Sequence, residues 1–426
     1  MRDPDRKTIL ATGAVVLETL YWICAASVAY PYVIYPVVLA ALGFLWARPV
    51  KRSKTEDGDT LPGVSVVISA YNEEAAIGRR LRELIGHIVH ERLDGEIVIV
   101  SDGSTDGTAS MARSFAGGRV PVHVVELAQN VGKSYAISIG CRAAHNPIVA
   151  FGDVRQTWAA DALTRMLENF ADPTVGAVGG ELFIETDRGV MAGVGLYWRF
   201  EKWMRRQEGL IHSTVGVTGA ICAVRRSLFL PIMPGTVLDD VYWPLQVVMQ
   251  GSRVVFDGQA HAHDRLPDHV KAEFRRKVRT LAGNYQLCAR LPQALSPRHN
   301  PIWFTLVSHK LMRLVVPWAW LGAAVLSARI GGPLYRTLFL TQMAVTLLGL
   351  IGLWRGVAMR SRIASALGSF LLLNAAAGVA LWVWLTGKTH QSWTKTAYRP
   401  TSTPAQKPMP VPVVVGAVTE GAAQWR

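Results

Sequence analysis

Cysteine and charge are both scarce in this chain of 426 residues. The four cysteines, Cys24, Cys141, Cys222 and Cys288, form no CxxC pair and no metal-ligand spacing. That excludes a disulfide framework or a cysteine-bound zinc as the organising device and leaves four small apolar side chains. Charged residues make up 18% of the chain, below the roughly 25% of an ordinary soluble domain. No G-x-G-x-x-G follows the first strand-like segment, so the nicotinamide-binding fingerprint is missing. Gly132-Lys133-Ser134 resembles the end of a phosphate loop, but Leu127 stands where that loop needs its first glycine.

What is plentiful is apolar: 50% of residues are hydrophobic, and there are 14 tryptophans. The net charge is +14, which raises nucleic-acid binding as a possibility. The basic residues argue against it. Arg48, Lys51, Arg52, Lys54, Arg355, Arg360 and Arg362 flank the apolar runs, as cytosolic membrane flanks facing anionic lipid do. Membrane lipids are therefore expected partners, and nucleic acid is not.

No charged residue occurs from Leu20 to Ala47, enough for one crossing of about 20 residues. Pro31 and Pro36 are expected to kink it. The expected organisation is a polar segment over 1–16, a transmembrane helix over 17–47, a linker over 48–62 and a cytosolic domain over 63–268. An interfacial amphipathic helix region follows over 269–300, then transmembrane or interfacial helices over 301–387 and a polar tail over 388–426. The basic cluster after the first span puts the domain on the cytosolic side, so a multi-pass protein of the inner (plasma) membrane is expected. Within 301–387 three apolar segments stand at about 303–328, 336–354 and 363–386. The first carries His309, Lys310 and Arg313, which are costly in hydrocarbon, and is expected to be partly interfacial.

The middle of the chain alternates strands and helices. Strand-like segments at 64–70, 96–102, 120–127 and 147–153 are separated by helical stretches, which implies an α/β, doubly wound sheet. Ligands then bind beyond the carboxyl ends of the strands. Tyr71, Asn72, Glu73, Asp102, Gly103 and Asp153 sit at those ends.

Four motifs stand there in order: Ala70-Tyr71-Asn72-Glu73-Glu74, Ser101-Asp102-Gly103-Ser104-Thr105-Asp106-Gly107, Asn130-Val131-Gly132-Lys133, and Asp153. Together they resemble the inverting family 2 glycosyltransferases with the GT-A (Rossmann-like) fold. The likeness covers about Val64 to Gln286 and extends to membrane-embedded bacterial polysaccharide synthases of the cellulose, hyaluronan and poly-N-acetylglucosamine type. It implies an enzyme that takes a nucleotide-sugar donor, UDP-linked, with a saccharide or lipid-linked acceptor and accessory export proteins as partners. By that resemblance Asp102 reads the uracil imide, Glu73 meets the ribose region, and Lys133 lies near the nucleotide. Ala70, Tyr71 and Gly103 line the same pocket.

Asp153 stands where the family carries Asp-x-Asp for a divalent cation, Mg2+ or Mn2+. Here the segment reads Asp153-Val154-Arg155, so one carboxylate is left and Arg155 becomes a candidate phosphate partner. His261 or His263 could complete the ligand set; a structural histidine is the competing reading. Leu238-Asp239-Asp240 resembles the family's Thr-Glu-Asp segment, which makes Asp240 the expected general base, with Asp239 second. Gly216–Arg226 resembles the acceptor loop, with Gly219 and Ala220 at the sugar. Arg276 to Thr280 aligns with Gln-x-x-Arg-Trp of processive members. Arg279 survives to meet the diphosphate, Arg276 replaces the glutamine, and Thr280 replaces the acceptor-stacking tryptophan. Phe274, Val278, Leu281 and Tyr285 form one helical stripe there, consistent with an interfacial helix. Trp393 to Thr396 and Arg399 resemble a cytosolic Trp-Gly-Thr-Arg segment, which favours a cytosolic tail.

Three functions follow from this reading. The first is polysaccharide extension at the membrane, coupled to secretion. The second is single sugar addition to a lipid carrier or glycolipid, favoured by Thr280. The third is a non-catalytic scaffold or transporter subunit.

Overall fold

A computed structural model describes residues 4–53, 61–185, 191–265, 270–354 and 361–387. The Trp393–Thr396 and Arg399 segment lies outside them. Helix α1, Pro4–Ala29, passes through a wider π-type turn, Tyr30–Ile34, into α2, Tyr35–Leu45. Helical structure thus begins within the segment read as polar. The proline expectation has a physical counterpart. Pro31 and Pro36 open the turn and α2 respectively, and a proline lacks the N–H that a regular helix needs.

The catalytic-type domain is built on β1 Val64–Ala70, α3 Glu74–His90, β2 Gly95–Asp102, α4 Thr108–Arg113, β3 Val122–Leu127, α5 Lys133–Ala143 and β4 Ile148–Gly152. There follow β5 Thr157–Trp158, α6 Ala162–Glu168, β6 Val175–Glu185, α7 Met191–Ile211, β7 Cys222–Arg225, α8 Asp239–Met249 and β8 Arg253–Arg265. The strands form one eight-stranded sheet in the order β3-β2-β1-β4-β7-β6-β8-β5. The first four are parallel, and β7 runs against both β4 and β6.

The Val/Ile-rich strands are apolar throughout because both faces are covered. Val64, Val66 and Ile68 pack with Ile77, Leu81 and Leu84 of α3. Val67 and Val98 pack on the other face with Ile137 and Cys141 of α5. Four strands were legible in the sequence and four were not. β6 opens on the glycine-rich run VGAVGG, and β8 turns polar after Asp257, so neither shows a clean apolar pattern.

Helix α9, Val270–Arg290, leads to the short helix α10, Trp303–Leu306, a second π-type turn, Val307–Leu311, and α11, Met312–Ile330. Then come α12, Gly332–Gly352, and α13, Arg362–Leu385. Among the described residues, four helical runs are long and apolar enough to cross a membrane: Thr12–Leu45, Trp303–Ile330, Gly332–Gly352 and Ile363–Leu385. The first C-terminal segment therefore reaches spanning length despite its charges. The stripe on α9 meets α13, where Tyr285 stacks on Trp384 at 5.6 Å.

Candidate active site

Two loops at the ends of β1 and β2 clasp each other. Asn72 sits at φ 53°, a region asparagine tolerates better than most residues. Its side chain accepts from the Thr105 amide at 2.8 Å. Glu74 accepts from the Gly107 amide at 3.0 Å, and the Glu74 amide donates back to Asp106. Asp106 accepts from the amide and hydroxyl of Thr108, the first residue of α4. Tyr71 is left 42% exposed on the rim, and the Glu73 amide donates to Thr108 at 2.8 Å. Gly103, at φ 66°, has no room for a Cβ, which would lie 2.3 Å from the Asn130 nitrogen.

Asp102 is 2% exposed. Its two carboxylate oxygens accept the Val131 and Gly132 amides at 2.7 and 3.0 Å, and the Asn130 side chain donates to its carbonyl. The carboxylate expected at the base thus anchors the 130–132 loop, which sets Lys133 at the start of α5. Lys133 Nζ donates to Asp153 Oδ1 at 2.5 Å. Burial would raise the Asp153 carboxyl, but Lys133 and Gln156 hold it below the usual range. Burial likewise works against the Lys133 charge, and Asp153 and Asp239 more than restore it.

Arg155 is tied to an acid beside this centre. Its Nε and Nη2 donate to both oxygens of Asp264 at 2.9 and 2.6 Å, a bidentate pair. Gln156 bridges the two acids, donating to Asp153 at 3.1 Å and Asp264 at 3.2 Å. His261 lies 2.9 Å from the Gly258 carbonyl, and His263 pairs with Thr157 across the strands and stacks on Phe183. Among the described residues, neither histidine forms a group of three close metal-type ligands with Asp153.

Asp239 and Asp240 open α8, and the residue capping it is Leu238 rather than Asp239. Pro244 lies inside this helix. Having no N–H, it leaves the Asp240 carbonyl without its helical partner. The Val217 amide takes that carbonyl at 2.9 Å. Gly216 makes the approach possible, since a Cβ there would stand 2.8 Å from the same oxygen. The acceptor-type loop is thereby pinned to α8. Gly219 borders both sides of the centre: a Cβ on it would lie 3.3 Å from Lys133 Nζ and 4.0 Å from Asp240 Cβ. Ala220 is buried, and its carbonyl accepts from Trp158 Nε1 at 2.9 Å.

Burial raises both acids at the start of α8. Asp239 is pushed up to about 6, with Lys133 opposing and Asp240 and Asp153 reinforcing the rise. Asp240 is raised by burial, against the pull of Arg205, Lys310, Lys133 and Arg279. Arg279 therefore acts on this centre, whereas Arg276 faces Trp198, its guanidinium carbon 5.9 Å from the ring centre. Thr280 donates to the Arg276 carbonyl within α9.

Sequence reasoning did not select Gln156, Asp264 or Arg205, since nothing local marks them. Lys310 carried a signal, being a charge in an apolar segment. Its neighbours show how that segment is tolerated. His309 lies 2.6 Å from Glu208 and 3.0 Å from Glu201, Arg313 donates to Glu201, and Tyr35 donates to Glu208 at 3.1 Å. Burial would raise Glu201, but Arg313 and His309 hold it well below the usual carboxylate range. His309 is thus tied to α7. Asn374 donates to the Phe370 carbonyl of its own helix at 2.8 Å.

The half-parallel sheet, with acids gathered beyond its strand ends, is that of a GT-A glycosyltransferase. Residues 65–230 match the family profile described as Glycosyl transferase family 2, so the chain carries a family 2 glycosyltransferase domain. Among curated proteins it is similar to the poly-beta-1,6-N-acetyl-D-glucosamine synthase of Staphylococcus aureus, 22% identical over 272 residues, 60% of this chain and 65% of that one. The synthase of the same name from Staphylococcus epidermidis is 24% identical over 265 residues, 58% of this chain and 61% of that one. The chain thus matches somewhat under two thirds of the length of these relatives. Among solved structures it is similar to the mannosyltransferase PcManGT from Pyrobaculum calidifontis in complex with GDP-Man and Mn2+. The TM-score is 0.65 at 22% identity, over 87% of this chain and 99% of that one. This likeness establishes the fold.

Proposed function

We propose that the chain is an inverting glycosyltransferase. It moves a sugar from a nucleotide-sugar, UDP-linked, to the end of a growing polysaccharide at the membrane, with the domain on the cytosolic side. The observation that carries this reading is the meeting of three acids around one cation: Asp153, Asp239 and Asp240 about Lys133. The nucleotide occupies the crevice between the clasped 71–74 and 103–108 loops and the 130–132 loop. Asp102 serves it indirectly, by shaping that last loop.

A field of acids that already holds an ammonium suits a divalent cation. Asp153, with Asp239 beside it, would hold Mg2+ or Mn2+ through oxygen. When bound, the ion supplies charge neutralisation for the diphosphate. Lys133 and Arg279 add positive charge on the same side. Asp240, raised by burial, takes the proton of the attacking hydroxyl. The diphosphate leaves from the opposite face, so configuration inverts in one displacement.

Replacing Asp240 by Asn should lower transfer by about 10²–10⁴-fold, the usual weight of a positioned base. Donor binding, read by calorimetry, should be kept. Unchanged transfer of radiolabelled sugar would remove Asp240 from this role.

A second reading is single addition to a lipid-linked acceptor carrying phosphate. Two observations favour it. Thr280 replaces the stacking tryptophan, and Arg205 and Lys310 bring positive charge to Asp240 from α7 and from a candidate span. Product length decides between the two: long ladders support extension, and a single labelled lipid supports the second reading.

A further inference from the structure

The acids of the proposed centre lie beyond the carboxyl ends of the strands. A different cluster stands at the amino ends of the same sheet. Glu96 is the second residue of β2, His123 the second of β3, and His145 lies just before β4. Glu96 precedes Asp102 by six residues along one strand, so about 20 Å separates this cluster from the donor crevice.

The geometry points to a second metal site here, one for a zinc-type divalent ion, formed by Glu96, His123 and His145. One ligand atom from each lies within 4.8 Å of the others. His145 Nδ1 is 3.0 Å and His123 Nε2 3.2 Å from Glu96 Oε2. A tetrahedral ion with bonds of 2.0–2.2 Å separates neighbouring ligands by about 3.4 Å. Each imidazole nitrogen needs to move from Glu96 Oε2 by only a few tenths of an ångström, and the two nitrogens already lie within 4.8 Å of each other.

The carboxylate is also aimed. Its other oxygen, Oε1, accepts Ser65 Oγ at 2.5 Å and the His145 amide at 2.6 Å. Ser65 Oγ in turn accepts from the Asn146 amide. Such supporting bonds orient a metal ligand. Oε2 is left facing two imidazoles. Glu96 is 5% exposed, while both histidines are reached by solvent, which leaves an entry path and room for a water ligand. Two imidazoles and one carboxylate favour zinc, cobalt or nickel over the magnesium class. A bound ion would fasten the edge strand β3 and the lead into β4 to the same point of the sheet.

The test uses the full chain in detergent, stripped of metal and titrated with Co2+ in the presence of excess Mg2+. One equivalent should bind and give the visible absorption of a low-coordinate cobalt site. His123→Ala and His145→Ala should each weaken binding at least about tenfold, and Asp153→Asn should leave it unchanged. Zinc-edge X-ray absorption of the zinc-loaded wild type should show two imidazoles and needs no variant. The proposal is overturned by absence of Mg2+-resistant binding, by binding that survives His145→Ala, by loss in Asp153→Asn, or by a spectrum without imidazole.

Discussion

Asp102 and Asp239 show how much a single carboxylate's surroundings matter. Both lie at strand or helix ends that the sequence marks. Asp102 is held by two amides and shapes a loop. Asp239 is half-buried beside like charges and pushed up to about 6. The sign of the second effect is testable. A carboxyl raised in the folded state binds its proton more tightly than in the unfolded chain. Its contribution to stability is full below the unfolded value near 3.8 and is lost as pH rises through about 6. Asp239→Asn should therefore melt higher than wild type at pH well above 6, and the gap should close in acid. Equal melting across the whole range would show that Asp239 is not held in this way. Its residue type was legible in the sequence. Its environment was not, because Lys133, Asp153 and Asp240 reach it from other elements.

Helix α8 illustrates a device that works at the level of an element. A proline inside a helix costs about 3 kcal/mol or more. Here the freed carbonyl, that of Asp240, is taken by Val217 across a gap that only Gly216 leaves open. The proline thus exchanges a helical bond for one that fixes the acceptor-type loop beside Asp240. Pro244→Ala restores a competing N–H. The expected result is a more stable helix and a lower kcat, by about tenfold if the displaced loop misplaces the acceptor, with donor KM little changed. A kcat equal to wild type would mean that the Val217 bond does not position the loop. The sequence contains Gly216 and Pro244, but their pairing across 28 positions of chain is a tertiary fact.

For the whole molecule, the question is how a catalytic-type domain is joined to helices of spanning length. The joint is ionic. Glu201 and Glu208 of α7 meet His309 and Arg313 of the second candidate span, with Tyr35 of the first completing the set. Tyr30 and Ser308 link the two π-type turns at 2.8 Å. Removing one member of a buried pair leaves an uncompensated charge, worth about 3–5 kcal/mol. Glu201→Gln should lower the melting temperature in detergent markedly. The double change Glu201→Met with Arg313→Met should recover much of that loss, since apolar residues can replace a buried pair at little cost. Equal melting of both variants would show that charge pairing is not what joins domain and helices. His309, Lys310 and Arg313 stood out in the sequence as costly. Their partners did not, because α7 shows no apolar or motif pattern that points at a helix about 100 residues later.

Sequence alone determined the features that local pattern encodes. The apolar runs marked the helices of spanning length, Val/Ile runs between helical stretches marked β1 to β4, and four short motifs marked the ends of the strands. Periodicity and turn chemistry act over a few residues, and the chain carries them openly. Tertiary structure decided the rest: the mixed half of the sheet, the pairing of Arg155 with Asp264, the anchoring use of Asp102, and the convergence of Lys133 with three acids. Each depends on a contact between residues far apart in the chain. Such contacts are fixed by packing, and no local pattern records them.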